Sequence, residues 1–152
     1  MNRPHQTPDP AWQINTLVDS ARNLAQRGDV QEAEKIYLKI LEAAPYHVRS
    51  LNFLAVQAMA RGDLDASEQY LDRALRVAPD RAVLHQNMGL LQKRRGNLEV
   101  ALLWLDRAIE LKPEHRFASF HKGAILQELG RNGDAVAAYW DGWRHFPIPM
   151  QP

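Results

Sequence analysis

Six histidines carry most of the chain's potential for acid–base or metal chemistry. A helix-borne zinc site needs two histidines four residues apart, as in His-Glu-x-x-His, because that spacing puts both rings on one helix face. No pair of histidines here has that spacing, and the chain has no cysteine to supply a thiolate. The sequence therefore predicts no metal site and no cofactor. The histidines are His5, His47, His85, His115, His121 and His145.

The other candidate nucleophiles are four serines, and none lies in a Gly-x-Ser-x-Gly context. No glycine-rich loop follows a predicted strand, so a phosphate-cradling motif is absent. Most carboxylates occupy positions that suit helix caps or surface partners of basic residues. We therefore expect no catalytic residue and no intrinsic enzymatic activity. The serines are Ser20, Ser50, Ser67 and Ser119.

Composition points to an ordinary globular domain. Hydrophobic residues make up 45% and charged residues 24% of the 152 residues, and the formal net charge is +1. That balance gives no reason to expect nucleic acid or a charged membrane surface as a partner. The longest nearly apolar stretch, residues 51–60, is too short to span a bilayer. The polar amino terminus does not have the pattern of a secretory signal, so we expect a cytoplasmic protein.

Four ladders of residues recur at intervals of 34 positions, which is the strongest signal in the sequence. Glycine recurs at Gly28, Gly62, Gly96 and Gly130, and proline at Pro45, Pro79, Pro113 and Pro147. A small residue recurs at Ala33, Ser67, Ala101 and Ala135, and a bulky one at Tyr37, Leu71, Leu105 and Tyr139. Each 34-residue unit is therefore one copy of a repeated structural element.

Each unit is predicted to contain two helices, A and B, because apolar residues recur in steps of three and four on either side of the glycine. The glycine ends helix A and the proline follows helix B. Asp29 with Glu32 has the spacing of a capping box, and Asp63 and Asn97 are predicted to cap in the same way. We expect eight helices and no strand, at 10–27, 30–44, 47–61, 64–77, 82–95, 98–111, 116–129 and 132–145.

This pattern of glycine, alanine, tyrosine or leucine, and proline resembles the tetratricopeptide repeat family. The small position of helix A falls on Ala21, Ala55, Gly89 and Gly123, whereas Gln92, Ile40 and Lys122 depart from the family pattern. The resemblance implies an all-α, right-handed solenoid whose A helices line a concave groove that holds peptides or partner proteins. We expect one domain at 10–149, with repeats at 14–47, 48–81, 82–115 and 116–149, a flexible tail at 1–9 and a short tail at 150–152.

In this register the groove collects amides, apolar side chains and basic residues. Amides can donate to and accept from a peptide backbone, and aromatic side chains offer apolar contact. Phe53 is alternatively placed between neighbouring A helices, and the basic residues favour a mildly acidic ligand. The predicted groove residues are Arg22, Arg49, Asn52, Phe53, Val56, Gln86, Asn87, Leu90, Arg94, Phe117, Phe120 and His121.

The last helix carries more aromatic residues than a helix facing water needs. Trp140, Trp143 and Phe146 are predicted to form a terminal interface, because an exposed apolar patch marks an interaction surface. Three arrangements remain open: a homodimer, docking of a downstream domain, or a fold-back of the chain onto this helix.

The sequence thus predicts a non-catalytic scaffold that binds a protein or an extended peptide in its groove. The alternatives are the substrate-recruiting amino-terminal region of a larger enzyme, such as an aspartyl/asparaginyl β-hydroxylase-like oxygenase or a sulfotransferase, and an oligomerisation unit.

Overall fold

The structure is a computed structural model that describes residues 10–145, and this range contains eight α-helices and no strand. The predicted tails, together with Phe146, lie outside the described residues. No helix within 10–145 is long and apolar enough to cross a membrane. The all-α prediction is confirmed. The helices are α1 (Pro10–Gln26), α2 (Val30–Ala43), α3 (Val48–Ala60), α4 (Leu64–Val77), α5 (Ala82–Arg94), α6 (Leu98–Leu111), α7 (Arg116–Glu128) and α8 (Asn132–Arg144).

The helices pack as four consecutive pairs, each made of one A helix (α1, α3, α5, α7) and one B helix (α2, α4, α6, α8). Each B helix also contacts the A helix that follows it. The A helices α3, α5 and α7 touch one another in order, so they lie side by side. This is the architecture of a helical repeat solenoid, in which each unit is stabilised mainly by its neighbours.

The turn between the helices of a pair is set by glycine. Gly62 and Gly96 have φ angles of +83° and +81°, a left-handed conformation that side chains disfavour. The residue after each glycine donates its backbone N–H to a carbonyl five residues back, at 2.9 Å for Asp63 to Ala58. This is the Schellman arrangement, which satisfies carbonyls at the end of a helix. The prediction that glycine ends each A helix is confirmed.

Only one of the three predicted acidic or amide caps forms. Oδ1 of Asp63 accepts a hydrogen bond from the backbone N–H of Ala66 at 3.1 Å. The prediction was wrong for Asp29 and Asn97, whose side chains make no cap hydrogen bond. Asn97 instead donates through Nδ2 to Oε1 of Gln92 at 2.9 Å. That bond gives a partner to the buried Gln92 amide, which departs from the family pattern.

Small residues let the two helices of a pair approach closely. A Cβ atom added to Gly89 would lie 2.9 Å from Cγ of Leu105, and one added to Gly123 would lie 2.7 Å from the ring of Tyr139. These glycines belong to the small ladder of the A helices, and the residues they meet belong to the bulky ladder. A small residue of the A helix therefore packs against a bulky residue of the B helix in these repeats.

The contact between successive repeats changes character along the solenoid. Arg61 pairs with Glu34 at 2.8 Å, and 34 residues later Arg95 pairs with Glu68 at the same distance. One period further on, these two positions hold Leu129 and Leu102, and both pack in the second hydrophobic cluster. At these positions ion pairs join the first three repeats, whereas leucines of the second cluster occupy them before the fourth, where Lys122 and Asp106 pair instead at 2.6 Å.

Candidate functional site

A first groove pocket of about 580 Å³ lies where α1, α3 and α5 meet. It gathers the predicted groove residues Arg49 and Asn52 beside Arg81, the residue immediately before α5. The amino-terminal ends of α3 and α5 border this pocket. The partial positive charge of a helix amino terminus adds to the charge of the arginines. The full lining is Asn15, Val18, Tyr46, His47, Val48, Arg49, Asn52, Arg81, Val83 and Leu84.

A second groove pocket of about 480 Å³ lies further along the same helices and reaches α7. It brings together four residues that the sequence assigned to the groove: Val56, Leu90, Arg94 and His121. Its lining combines apolar side chains with two basic ones, Lys93 and Arg94, which lie in the last turn of α5. The full lining is Val56, Met59, Ala60, Leu90, Lys93, Arg94 and His121.

The amides predicted to bind a peptide backbone are partly occupied by the fold itself. Nδ2 of Asn87 donates to Oδ1 of Asn52 at 2.7 Å, which joins α5 to α3. Asn87 is only 5% exposed, so its contribution is to hold these helices in register. Oε1 of Gln86 is buried, and no hydrogen-bond partner for it is present among residues 10–145.

Three other predicted groove residues lie outside both pockets. Phe53 packs against the first core cluster, with its ring 4.5 Å from that of Tyr37 on the B helix α2. Arg22 pairs with Asp19 on its own helix at 2.8 Å. Phe117 is exposed, with the Arg116 guanidinium 5.1 Å from its ring centre.

Phe120 belongs with the terminal aromatic residues more than with the groove pockets. Its ring lies 6.4 Å from that of Tyr139, and both line a cleft of about 540 Å³ with Val136, Trp140 and Trp143. The structure therefore brings two of the three predicted interface residues together on α8. The third, Phe146, is outside the described residues.

The groove and the outer surface differ in charge. The linings of the two groove pockets contain four basic side chains and no carboxylate. Within residues 10–145 the nearest carboxylate to these four is Glu128, at 3.6 Å from Nζ of Lys93. By contrast, a furrow between α6 and α8 holds four carboxylates and only two basic side chains, Lys122 and Arg131. The carboxylates are those of Glu99, Asp106, Asp134 and Asp141. The net charge of +1 thus conceals a basic groove.

Burial lowers the pKa of two histidine rings that line the groove pockets. Burial, together with the charges of Lys93 and His115, lowers the pKa of His121 below its ordinary value. Burial and Arg49 likewise lower the pKa of His47, whose Nδ1 accepts from the backbone N–H of Ser50 at 3.3 Å. Both rings are therefore neutral at pH 7, and an anion bound beside them would raise each pKa.

Sequence reasoning missed several residues at the pocket margins. Tyr46, His47 and Arg81 line the first pocket although they precede the helices that form it. Their position in the sequence could have identified them as pocket residues. Tyr46 and Asp80 directly follow the prolines of the 34-residue ladder, and His47 and Arg81 come next. Residues between a proline and the next A helix therefore lie at the mouth of the groove.

The comparisons with known proteins agree with this architecture. Residues 46–114 match the family model of the tetratricopeptide repeat. No curated protein sequence matches the chain. Among solved structures, the fold is similar to MamA from Desulfovibrio magneticus RS-1, with a TM-score of 0.74 at 20% identity over 87% of this chain and 75% of that one. It is also similar to a mutant of Thermobaculum terrenum O-GlcNAc transferase, with a TM-score of 0.83 at 24% identity over 97% of this chain and 30% of that one.

At these identities the solved structures establish the fold alone, which is a helical repeat solenoid. The family match and the 34-residue period that continues on both sides of it define the repeat type. Residues 46–114 are tetratricopeptide repeats.

Proposed function

We propose that the chain is a protein-interaction module that holds an extended acidic segment of a partner protein in the groove of its A helices. The observation that carries the proposal is the pair of groove pockets with four basic side chains and no carboxylate in their linings. Opposite charge on the ligand steers association and sets its register, whereas the apolar surfaces contribute contact area.

The spacing of the basic residues sets the length of the ligand. Arg81 immediately precedes α5 and Lys93 lies near the end of that helix, so a rise of about 1.5 Å per residue separates them by about 18 Å. An extended peptide covers that distance in about five or six residues at about 3.3 Å each. We therefore propose two acidic residues about five positions apart, one for each groove pocket.

The segment between the two acidic residues has an apolar requirement. Val56 is exposed on α3 and lies in the second pocket with Leu90 of α5 and Met59. A leucine or a similar side chain next to the second acidic residue would cover these groups. Burial of apolar surface stabilises binding by about 25 cal/mol per Å², so this contact adds affinity that salt does not screen.

The test uses a fluorescein-labelled peptide, Asp-Ser-Ser-Ala-Leu-Asp, and fluorescence polarisation. Saturable binding that weakens as salt is raised supports the proposal, because exposed charges are screened beyond a Debye length of about 10 Å at 0.1 M salt. The matched ligand Lys-Ser-Ser-Ala-Leu-Lys should not bind. Equal binding of both peptides, or of neither, contradicts the charge preference.

Paired variants localise the binding. Arg49→Gln with Lys93→Gln removes one positive charge from each groove pocket and should weaken binding of the acidic peptide at least about tenfold. The matched control is Arg107→Gln, because Arg107 is an exposed residue of α6 that pairs with Glu110 outside both pockets. If Arg107→Gln weakens binding as much as the groove pair does, the ligand recognises overall charge and the groove assignment is wrong.

A second candidate function, self-association, is favoured by a different observation. Trp140 and Trp143 are exposed on α8 beside Val136, so the chain presents an apolar surface at this end of the described solenoid. Surfaces of this kind mark interfaces more often than they face water.

A further inference from the structure

Two arginines in the first groove pocket have no counter-charge of their own. Arg49 and Arg81 both line this cavity of about 580 Å³, and its lining contains no carboxylate. Within residues 10–145 neither guanidinium forms an ion pair or a hydrogen bond. By contrast, Arg61 and Arg95 each pair with a glutamate at 2.8 Å between repeats. The first groove pocket therefore offers two full positive charges to a ligand.

Asn52 adds a hydrogen-bond donor to the same pocket. Its Oδ1 accepts from Nδ2 of Asn87 at 2.7 Å, so the acceptor end of the Asn52 amide is already engaged. The other polar end of that amide is Nδ2, which can only donate. Tyr46 also lines the pocket, and its hydroxyl is a further donor. These groups suit a ligand that brings several acceptor oxygens together with negative charge.

The second groove pocket offers less free positive charge. Nζ of Lys93 lies 3.6 Å from a carboxylate oxygen of Glu128, which offsets the charge of the lysine. Arg94 donates through Nη1 to the backbone carbonyl of Met59 at 3.0 Å, so part of its guanidinium is engaged. The second pocket therefore suits a singly charged carboxylate beside an apolar side chain, and the two pockets differ in the charge that they can neutralise.

A phosphate monoester matches the first groove pocket better than a carboxylate does. It carries a charge of about −1.5 to −2 at about pH 7 and three strong acceptor oxygens. Guanidinium groups bind such oxygens in pairs through their planar set of N–H donors. A carboxylate brings one negative charge, so one of the two arginines, Arg49 or Arg81, would keep its charge uncompensated.

We propose that the first groove pocket binds a phosphorylated serine of the partner segment, and that the second takes an acidic residue about five positions later. This inference rests on the proposed function of the groove, and it names the chemistry of one of its two anchors. A leucine next to the acidic residue sets the direction of the segment, because Val56 and Leu90 line the second pocket. Phosphorylation of the partner then controls its capture.

Fluorescence polarisation with three fluorescein-labelled peptides tests the proposal. The peptides are phosphoSer-Ser-Ser-Ala-Leu-Asp, Asp-Ser-Ser-Ala-Leu-Asp and Asp-Ser-Ser-Ala-Leu-phosphoSer. The first should bind with a Kd at least about tenfold lower than the second, because its dianion meets two arginines. The third should gain less than the first, since its phosphate meets the second pocket.

Each contrary result has its own meaning. Equal Kd values for the first two peptides overturn the phosphate preference and leave the groove function standing. An equal gain from phosphate at either end shows recognition of overall charge, which overturns the pocket assignment. Binding of none of the three peptides overturns the groove function itself, and the inference with it.

Variants locate the preference through the ratio of the Kd values of the second and first peptides. Arg81 is exposed, and its side chain makes no cap hydrogen bond at the start of α5, so Arg81→Gln should keep the fold by circular dichroism. It should lower the ratio toward one, whereas Lys93→Gln should weaken both peptides and keep the ratio. A ratio unchanged in both Arg81→Gln and Arg49→Gln overturns the proposal.

Inorganic phosphate separates a phosphorylated segment from free phosphate as the source of the ligand group. It lacks the contacts of the second pocket, so it should displace the first peptide only at concentrations at least about a hundredfold above the Kd of that peptide. Displacement at concentrations near that Kd would show that the pocket binds free phosphate, and the assignment to a partner segment would be wrong.

Discussion

Asn87 of α5 donates through Nδ2 to Oδ1 of Asn52 on α3, and the bond is 2.7 Å long. The two residues are 35 positions apart, one more than the repeat period, so the bond connects successive A helices across the floor of the groove. Because Asn87 is buried and Asn52 is only half-buried, loss of the bond should affect them unequally.

Removal of this amide pair should show a strong coupling between the two positions. Asn52→Leu leaves the buried Asn87 amide without its acceptor and should lower the free energy of unfolding by about 1–3 kcal/mol. The double variant Asn52→Leu/Asn87→Leu replaces both partners and should recover most of that loss. Urea unfolding of both single variants and the double variant gives the coupling energy. Additive losses would show that the bond contributes nothing of its own.

The glycines of α7 and α8 should respond to the same substitution in opposite ways. Gly123→Ala places a Cβ 2.7 Å from the Tyr139 ring, so the free energy of unfolding should fall by about 1–3 kcal/mol. Gly133→Ala meets nothing within 4 Å and should gain up to about 1 kcal/mol from reduced chain entropy. Thermal or urea unfolding measures both, and a similar effect of the two variants would contradict the close approach of α7 to α8.

Acid should destabilise the chain partly through His47. Burial and Arg49 lower the pKa of His47 in the folded state below its unfolded value of about 6.5. Its stabilising contribution is therefore fully present above about pH 6.5 and is lost as pH falls through the folded pKa. Protonation of Nδ1 also removes the acceptor for the backbone N–H of Ser50.

The variant His47→Asn checks this assignment, because asparagine keeps a cap acceptor at the start of α3 but does not titrate. The decline in melting temperature between about pH 7.5 and about pH 5.5 should be smaller than in the wild type. An undiminished decline would assign the acid sensitivity to other groups, of which His115 and His121 also have pKa values lowered by burial.

The positions that hold Glu68 and Arg95 between the second and third repeats hold leucines before the fourth repeat. We therefore expect one leucine substitution at these positions to lower the melting temperature more than two. Arg95→Leu leaves Glu68 without its 2.8 Å partner and should lower the melting temperature. Glu68→Leu together with Arg95→Leu introduces the residue types of Leu102 and Leu129 at the corresponding positions and should melt above the single variant. A double variant that melts below Arg95→Leu would show that the apolar contact is specific to the fourth repeat.

The sequence allowed the helix pairs and turns to be predicted because their chemistry is local. The positive φ of Gly62 follows from a glycine that directly ends a helical apolar pattern, and the period places the other three turns. The cap at Asp29 was not predictable, because its spacing permits a hydrogen bond that the side chain does not make. Local spacing states what a side chain can reach and does not decide between competing partners.

The groove was harder to predict than the helices that form it. Helical periodicity placed Phe53 and Asn87 on the groove side, but the rotation between neighbouring repeats decides whether such a side chain meets solvent or a neighbour. Phe53 meets Tyr37, and Asn87 meets Asn52. The absence of carboxylates from the groove pockets depends on that rotation too, since basic and acidic residues are almost equal in number along the chain.

Within residues 10–145, the main helix contacts run between helices that are near one another in sequence. A chain built in this way has no distant strand or helix that must release before the rest can move. Under a force applied to its two ends, it should lengthen by one repeat at a time. Each 34-residue unit, drawn out to about 3.3–3.6 Å per residue, would add about 110–120 Å of length. We therefore expect the repeats of the solenoid to unfold separately under force.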